Sequence, residues 1–255
     1  MPIRISFAGK GGTGKTTLAA LLINYLIENN RTPILAVDAD PNANLNELLG
    51  VDVEITLREI KDEIRTSVPE GMPRYSYVEM RLNQAIIEAE EYDLLVMGQP
   101  EGPGCYCPAY AFLSQAIEKL LRSYKYIVMD NEAGMEHISR LNLAEMEHLI
   151  IISDATLRGI QTAGRISKLV FNLPIKVERC WLIVNRCPQP VPQELRDYAQ
   201  KIAQENKLQL LGFLPEDPNI IKYEINQIPV FEWKNSILKP ASYKLWDEIL
   251  NKFRV

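Results

Sequence analysis

The chain has 255 residues, of which 47% are hydrophobic and 24% charged, and its formal net charge is −5. This composition can fill a substantial core, while the acidic balance argues against a general nucleic-acid binder, which normally carries an excess of Lys and Arg. No apolar run approaches the roughly 20 residues of a membrane span. The first residues indicate a strand and not a signal peptide, so we expect a cytoplasmic protein whose four cysteines stay reduced.

Short apolar runs alternate with longer helical patterns along the whole chain. Runs that are apolar on both faces are typical of strands in a parallel sheet covered by helices on each side. The predicted strands are Ile3–Ala8, Ile34–Val37, Leu94–Met97, Tyr126–Met129, Leu149–Ile152, Trp181–Val184 and Leu210–Leu214. The predicted helices include Gly14–Asn29, Ala109–Arg122, Thr156–Phe171 and Gln193–Glu205. The alternation predicts one α/β domain over residues 1–255, doubly wound around a mainly parallel sheet.

A glycine-rich loop follows the first predicted strand. Residues 9–16 match the pattern G-x-x-x-x-G-K-[ST] between a strand and a helix. Glycines let backbone N–H groups converge on phosphate oxygens, and the helix N-terminus adds its positive end. The pattern predicts that Lys15 reaches the β- and γ-phosphates and that the Thr16 hydroxyl binds Mg²⁺. The residues assigned to nucleotide binding in this loop are Gly11, Gly12, Thr13, Gly14, Lys15, Thr16 and Thr17.

The loop contains a second lysine, Lys10, that an ordinary phosphate loop does not need. The form K-G-G-T-G-K-T-T resembles the deviant Walker A ATPases, the superfamily of MinD, ParA and the nitrogenase iron protein. In that superfamily the early lysine reaches the nucleotide of the partner subunit. The resemblance therefore implies a P-loop ATPase that hydrolyses ATP to ADP in a nucleotide-sandwich homodimer, with Lys10 and Lys15 both catalytic.

Two carboxylates, Asp38 and Asp40, follow the second predicted strand. This is the carboxyl edge of the sheet, where ligands bind in such folds. One carboxylate could orient the attacking water and the other could hold a metal-bound water, so both are assigned to catalysis and Asp40 to Mg²⁺ through water. The alternative is that an Asp caps the start of a helix. The similar D-x-D of the superfamily favours the functional interpretation.

The stretch 55–92 is polar and is broken by Pro69, Gly71 and Pro73. It predicts either a helical insertion with a surface loop or an element that faces a partner, and the former is favoured because long loops are only sometimes functional. At the other end of the chain, Tyr243, Trp246, Ile249, Leu250 and Phe253 form an apolar helical stripe. Its polar face mixes charges of both signs, which indicates core packing and not a membrane anchor.

A pair of thiols, Cys105 and Cys107, lies in the segment E-G-P-G-C-Y-C-P. Side chains at i and i+2 point the same way in an extended segment, and thiolates suit a borderline metal such as Zn²⁺ or Ni²⁺. Two thiolates fill half of a tetrahedral site, so a two-fold dimer would supply all four. An isolated C-x-C is nevertheless a weak pattern on spacing alone. Cys180 and Cys187 flank an apolar strand and are predicted to be packing residues.

Asp130 ends the apolar run Tyr126–Met129, which is the Walker B pattern. It is predicted to hold Mg²⁺ through water. The following N-E-A-G resembles the second switch of the superfamily, in which a glycine N–H senses the γ-phosphate, and Gly134 is the match. His137 is either a further ligand or switch residue, or a surface histidine.

The base-binding residues are predicted from two strand ends. Asn185 ends the strand Leu182–Val184, and Pro188 stands where the guanine-reading Asp of an N-K-x-D motif would be. Adenine is therefore favoured over guanine. Asn185 resembles the adenine-contacting Asn of the superfamily, and Pro215 and Asp217 resemble its second base-edge loop.

The stretch from Met97 through the Cys pair to Asp130, together with A-G-M-E-H at residues 133–137, resembles the CooC group of ATPases. The resemblance implies metal at Cys105 and Cys107 on the dimer interface, and nickel insertion into a client, carbon monoxide dehydrogenase or acetyl-CoA synthase. Residues 130–140 contain no Cys, unlike the cluster-binding nitrogenase iron protein. The alternatives are an iron–sulfur ATPase and a MinD/ParA-like positioning ATPase, although the acidic composition argues against nucleic-acid and membrane partners.

Overall fold

The computed structural model describes residues 2–40, 44–98, 108–131 and 145–251. Within these ranges eight strands form one sheet in the order β3-β4-β2-β5-β1-β6-β7-β8. All neighbouring strands are parallel except β3, which pairs antiparallel with β4. The strands are β1 (Ile3–Gly9), β2 (Ile34–Ala39), β3 (Ile87–Glu88), β4 (Asp93–Val96), β5 (Tyr126–Asn131), β6 (Glu145–Asp154), β7 (Lys176–Cys187) and β8 (Gln209–Pro215).

Nine α-helices lie in the described ranges, together with a 3₁₀ turn at Val230–Glu232. The helices are α1 (Lys15–Glu28), α2 (Leu45–Leu49), α3 (Leu57–Thr66), α4 (Arg74–Ala85), α5 (Pro108–Leu121), α6 (Leu157–Phe171), α7 (Gln193–Glu205), α8 (Ile220–Ile225) and α9 (Leu238–Asn251).

The sheet separates two apolar clusters, which explains why its strands are apolar on both faces. One cluster joins the sheet to α1, α2 and α9, and the other joins it to α3, α4, α5, α6 and α7. Every residue of β2 and β5 is buried. The predicted doubly wound α/β architecture with a mainly parallel sheet is thus confirmed.

The connections reverse direction between β1 and β6, which are neighbours in the centre of the sheet. After β1, helix α1 covers one face and the chain continues into β2 on one side. After β6, helix α6 covers the opposite face and leads to β7 on the other side. Such a switch point leaves a crevice beyond the carboxyl ends of the strands, which is where ligands bind in this architecture. The glycine-rich loop at the end of β1 lies at this crevice.

Residues 55–92 contain α3, α4 and β3, with a short connection at 67–73 between the helices. A capping box fixes the start of α3, because Thr56 accepts from the Glu59 N–H while the Glu59 side chain accepts from Thr56. Glu63 then joins the two helices by accepting hydrogen bonds from Tyr77 and from two nitrogens of Arg81. These helices bury apolar residues in the same cluster as α5.

The C-terminal helix α9 packs against α1 and β8. Trp246, Ile249 and Leu250 are buried, so the prediction of core packing is confirmed for them, while Phe253 lies outside the described residues. In the part of the chain that the structure describes, no helix combines the length and the apolarity of a membrane span.

Candidate functional site

Steric requirements explain two glycines of the loop between β1 and α1. Gly9 has a φ of 150°, and a Cβ on it would lie 2.4 Å from the Ile152 carbonyl oxygen. Gly14 is the N-cap of α1 with a φ of 93°, and a Cβ on it would lie 2.6 Å from Nδ2 of Asn185. A larger residue at either position would meet both a strained backbone and an occupied space. The loop is thus held between β6 and the end of β7.

The inner part of the loop is open and electropositive. A Cβ on Gly11 or Gly12 would find no heavy atom within 4 Å. Helix α1 has no side-chain N-cap and no acidic residue in its first turn, so its first N–H groups and its positive dipole end can receive an anion. The Lys15 side chain is buried, and its ammonium reaches the Lys10 carbonyl oxygen at 3.5 Å. This arrangement suits phosphate oxygens.

Lys10 differs from Lys15 in its environment. Its side chain is exposed and forms no ion pair with any described residue. Its carbonyl oxygen, in contrast, is fixed inside the loop because it accepts from the Thr13 hydroxyl at 2.9 Å. The backbone of Lys10 therefore belongs to the phosphate cradle, while its ammonium is directed to solvent.

Asp130, at the end of β5, is a buried carboxylate beside the loop. It is 1% exposed, and neither of its oxygens has a hydrogen-bond partner. Burial raises its pKa to about 7. The nearby Thr16 hydroxyl and Lys15 ammonium lower this pKa, whereas the carboxylates of Asp38 and Asp40 raise it. A buried acid with unused oxygens at this position suits a cation.

Asp38 lies opposite Asp130 on the neighbouring strand β2 and is also buried. One of its oxygens accepts from the Asp40 N–H at 3.1 Å, and the other accepts from the Leu45 N–H, the first residue of α2, at 2.9 Å. Burial nevertheless raises its pKa to about 6. Asp38 therefore fixes the start of a helix, as in the alternative interpretation of the sequence. Its predicted role towards water stays a prediction.

Asn185, at the end of β7, contacts the loop directly. Its Nδ2 donates to the Thr13 carbonyl oxygen at 2.9 Å. Its Oδ1 is buried and has no hydrogen-bond partner. The structure thus brings Asn185 to the same crevice as Lys15 and Asp130, with one acceptor unused.

The residues after β8 have a different environment. Pro215 pairs with Cys187 on β7, but the side chain of Asp217 contacts the C-terminal part of the chain. It accepts from the Ser236 hydroxyl at 2.6 Å and from the Leu238 N–H at 3.2 Å, at the start of α9. Burial raises the pKa of Asp217, but these bonds lower it below its ordinary value. The structure therefore gives Asp217 a role in packing, and base contact by Asp217 remains a prediction.

Several predicted site residues lie outside the described residues: Cys105, Cys107, Gly134 and His137. Cys180 and Cys187 are buried, as expected for packing residues, and burial raises their pKa values to about 12 and about 11. Within the described ranges, no group of three or more His, Cys, Asp or Glu side chains could hold a metal ion.

Asn131 is a buried polar residue that the sequence interpretation did not single out. Its Nδ2 donates to the Ser6 hydroxyl at 2.6 Å and to the Phe7 carbonyl oxygen at 2.9 Å. It therefore joins β5 to β1 just before the loop. The sequence gives one signal for this role: Asn131 follows Asp130 directly and ends a strand that is otherwise mostly apolar.

Mg²⁺ and a nucleotide fit this site by the chemistry of its residues. The open loop and the uncapped start of α1 suit phosphates, and the unused oxygens of Asp130 beside Thr16 suit a hard cation that prefers oxygen ligands. The unused Oδ1 of Asn185 suits a hydrogen-bond donor of a base.

Comparison with known families and proteins agrees with this site. The family described as CobQ/CobB/MinD/ParA nucleotide binding domain (CbiA) matches residues 5–230. An uncharacterized ATP-binding protein of Methanocaldococcus jannaschii is 38% identical over 255 residues, covering 97% of this chain and 98% of that protein. The carbon monoxide dehydrogenase accessory protein CooC of Rhodospirillum rubrum is 30% identical over 232 residues, covering 86% and 85%.

Solved structures show the same fold. The septum site-determining protein MinD of Pyrococcus horikoshii, complexed with Mg-ADP, superposes with a TM-score of 0.70 at 25% identity, covering 99% of this chain and 97% of that one. A ParA family ATPase of Chlorobium tepidum superposes with a TM-score of 0.70 at 18% identity, covering 96% and 98%.

Proposed function

Since the chain belongs to the CobQ/CobB/MinD/ParA nucleotide-binding family and is an ATPase, we propose that it is a metallochaperone for carbon monoxide dehydrogenase or acetyl-CoA synthase. The observation that carries the proposal is the 30% identity over 232 residues with a carbon monoxide dehydrogenase accessory protein. The C-x-C pair in the sequence supports it. The protein would act in the cytoplasm, where thiols stay reduced.

The described residues supply the parts that ATP hydrolysis needs. The loop amides and Lys15 hold the phosphates, and Thr16, Asp130 and Asp40 are the residues that would hold Mg²⁺. When bound, Mg²⁺ neutralises charge on the phosphate oxygens. Asp38, the buried carboxylate opposite Asp130 on the neighbouring strand, orients the water that attacks the γ-phosphorus, and ADP leaves with its oxygen on the β-phosphate.

The exposed ammonium of Lys10 supports a shared site. Because it has no ion-pair partner among the described residues of its own protomer, it can reach the nucleotide of a second subunit that faces the same crevice. ATP binding would then close a homodimer in which each site is completed in trans. Gly134 would sense the γ-phosphate, so hydrolysis would loosen the dimer.

The cargo binds at Cys105 and Cys107. One chain supplies two thiolates, and a closed dimer supplies four, which is a complete tetrahedral set for Ni²⁺ or Zn²⁺. Closure and opening of the nucleotide dimer would therefore assemble and disassemble the metal site, and the released ion would pass to the client enzyme.

Metal analysis tests the proposal. Purified protein is loaded anaerobically with Ni²⁺ or Zn²⁺, with and without ATP, and metal per dimer is measured for wild type and for Cys105→Ala/Cys107→Ala. We expect about one ion per wild-type dimer and none in the double variant, with Cys180→Ala as the matched control that keeps its metal. Equal stoichiometry in all three proteins would reject the metallochaperone function. A brown protein with an iron–sulfur cluster would support an iron–sulfur ATPase instead.

A second candidate is a positioning ATPase of the MinD/ParA type, which the superposition and 25% identity with MinD favour. It requires binding to a membrane or to DNA that depends on ATP. Sedimentation with anionic vesicles and mobility shift with duplex DNA, each with ATP and with ADP, distinguish the two functions. The metallochaperone is expected to show neither interaction.

A further inference from the structure

The outer side of helix α6 differs in charge from every other long helix in the described ranges. It contains Arg158, Arg165 and Lys168 and no acidic residue. Every other described helix of ten or more residues contains at least one Asp or Glu. This local excess of positive charge occurs in a chain whose net charge is −5.

The three cations lie on one exposed stripe. Separations of seven and three residues place side chains on the same side of an α-helix. The opposite side of α6 is buried in the core through Ile160, Ala163, Ile166, Ser167 and Val170. The stripe is therefore fixed towards solvent by the packing of the helix.

No acidic side chain among the described residues neutralises the charges of this stripe. Arg158, Arg165 and Lys168 form no ion pair with a described residue, whereas exposed cations elsewhere do, such as Lys119 with Glu79. An ion pair within the protein would reduce the positive electrostatic field that a ligand meets at the stripe.

Large apolar side chains accompany the cations. Leu157 is 55% exposed at the start of the helix, and Leu169 is 65% exposed near its end. Phe171, at the last position, is 45% exposed and lies under the Lys207 ammonium at 6.0 Å. A combination of arginine and exposed apolar groups is typical of protein interfaces.

One end of α6 adjoins the nucleotide site. Thr156, its N-cap, accepts from the Gly159 N–H at 3.0 Å and donates to Asp154. Asp154 in turn pairs with Asn185 across β6 and β7. A molecule that rests on the start of α6 would therefore lie beside the crevice that holds the nucleotide.

We propose that this outer face of α6, formed by Leu157, Arg158, Arg165, Lys168 and Leu169, is a docking surface for a partner protein that presents carboxylates around an apolar centre. Duplex DNA offers phosphates but no apolar surface that could bury the two leucines. An extended polyanion is also repelled by the acidic rest of the chain. A discrete acidic patch on a protein complements both the charge and the apolar groups. Docking of this partner does not depend on the metal cargo proposed above.

A labelled helical peptide tests this surface on the full-length protein. The peptide carries Glu on one side and Leu at i, i+4 and i+7 within it, and a second peptide replaces each Glu with Lys. We expect the Glu peptide to bind wild type, with the affinity lowered by added salt, and the Lys peptide not to bind. R158E/R165E/K168E is expected to weaken binding at least about tenfold, and Leu157→Ser/Leu169→Ser about tenfold.

The matched control K222E/K234E/K244E makes the same change in net charge with exposed lysines outside α6. It is expected to bind like wild type, and both charge variants are expected to keep ATP hydrolysis. Absence of binding to the Glu peptide would overturn the proposal. Equal loss in the control, an unchanged affinity in the leucine variant, or tighter binding to duplex DNA or to phosphatidylserine vesicles would overturn it as well.

Discussion

Nδ2 of Asn185 donates a 2.9 Å hydrogen bond to the carbonyl oxygen of Thr13, 172 residues away in sequence. This bond fixes the orientation of the amide, because the nitrogen is held by the phosphate loop and the buried Oδ1 is left as an acceptor. A bare acceptor complements the exocyclic amino group of adenine and not the O6 acceptor of guanine. The Asn185 side chain can thus hold the phosphate loop through its nitrogen and contact the base through its oxygen.

Asn185→Ala should therefore weaken ATP binding about tenfold or more and reduce the preference for ATP over GTP. The measurement is titration with fluorescent ATP and GTP analogues. Asn226→Ala is the control, since that exposed amide donates only within its own helix turn, to the Lys222 carbonyl oxygen. If the ratio of the two affinities stays at its wild-type value, Asn185 does not read the base.

Lys10→Ala should lower ATP hydrolysis about a hundredfold or more while nucleotide affinity of the monomer changes little, because the ammonium acts on the partner's nucleotide. Lys15→Ala should lose both. An equimolar mixture of the two inactive variants should regain part of the activity, since one site of the mixed dimer receives an intact Lys15 from one chain and Lys10 from the other. A mixture as inactive as its components would show that Lys10 does not act in trans.

Asp130→Asn should stabilise the nucleotide-free protein at neutral and alkaline pH. Burial raises the pKa of Asp130 to about 7, whereas in the unfolded chain the pKa is about 3.9. Between these values the native state binds more protons, so its free energy of unfolding falls as pH rises and levels off above pH 7.

Asp38, with a pKa of about 6, also lowers the free energy of unfolding as pH rises, but over a narrower pH range than Asp130 does. The variant at Asp130 should remove about half of the slope below pH 6 and nearly all of it between pH 6 and pH 7, and gain on the order of 2–4 kcal/mol at pH 8. Urea unfolding from pH 4 to pH 8, without and with Mg-ADP, measures the free energy of unfolding of the wild type and of the variant. Equal slopes in both proteins would contradict the assignment, and Mg-ADP is expected to stabilise the wild type more than the variant.

Asn131→Ala should destabilise the protein by about 1–3 kcal/mol, because the Ser6 hydroxyl and the Phe7 carbonyl oxygen lose a buried donor. A double-mutant cycle with Ser6→Ala isolates the 2.6 Å bond between the two side chains. We expect a coupling energy of about 0.5–1.5 kcal/mol in urea unfolding. Strict additivity would mean that this bond contributes nothing to the junction of β1 and β5.

Asp217→Ala distinguishes packing from base contact. Loss of its bonds to Ser236, Asn219 and Leu238 should cost about 1–3 kcal/mol of stability and leave the ATP to GTP preference unchanged. The lowered pKa of this acid means that its stabilisation is present above the unfolded pKa of about 3.9 and is lost as pH falls below that value. Thermal unfolding at pH 7 and at pH 3 measures both effects, and an altered base preference would restore the role that the sequence predicts.

The parts of this molecule that could be predicted from sequence are those with a local cause. The period of the apolar residues locates the strands and long helices. Gly9 and Gly14 indicate a loop whose backbone conformation few other residues adopt. The roles of Asp38 and Asp217 could not be decided in this way. Their bonds go to the start of α2 and to the start of α9, and these neighbours are brought by tertiary structure.

The contacts of Asn131 also could not be predicted from its neighbours in the sequence. Nothing in its sequence neighbourhood shows that its amide will find Ser6 on another strand, since this depends on β1 inserting beside β5. The contact of Asn185 with Thr13 likewise depends on the order of strands and not on any short motif.

The central place of β1 has a consequence for protein synthesis. Strand β1 precedes β5 and β6 in the chain, so Ile3 cannot pair with Tyr126, nor Ile5 with His148, until those residues have been synthesised. Until β5 has been made, this apolar strand has neither of its two neighbours in the sheet. Exposure of this apolar strand during synthesis therefore favours aggregation, and nucleotide binding cannot assist folding until β7, which contains Asn185, has been made.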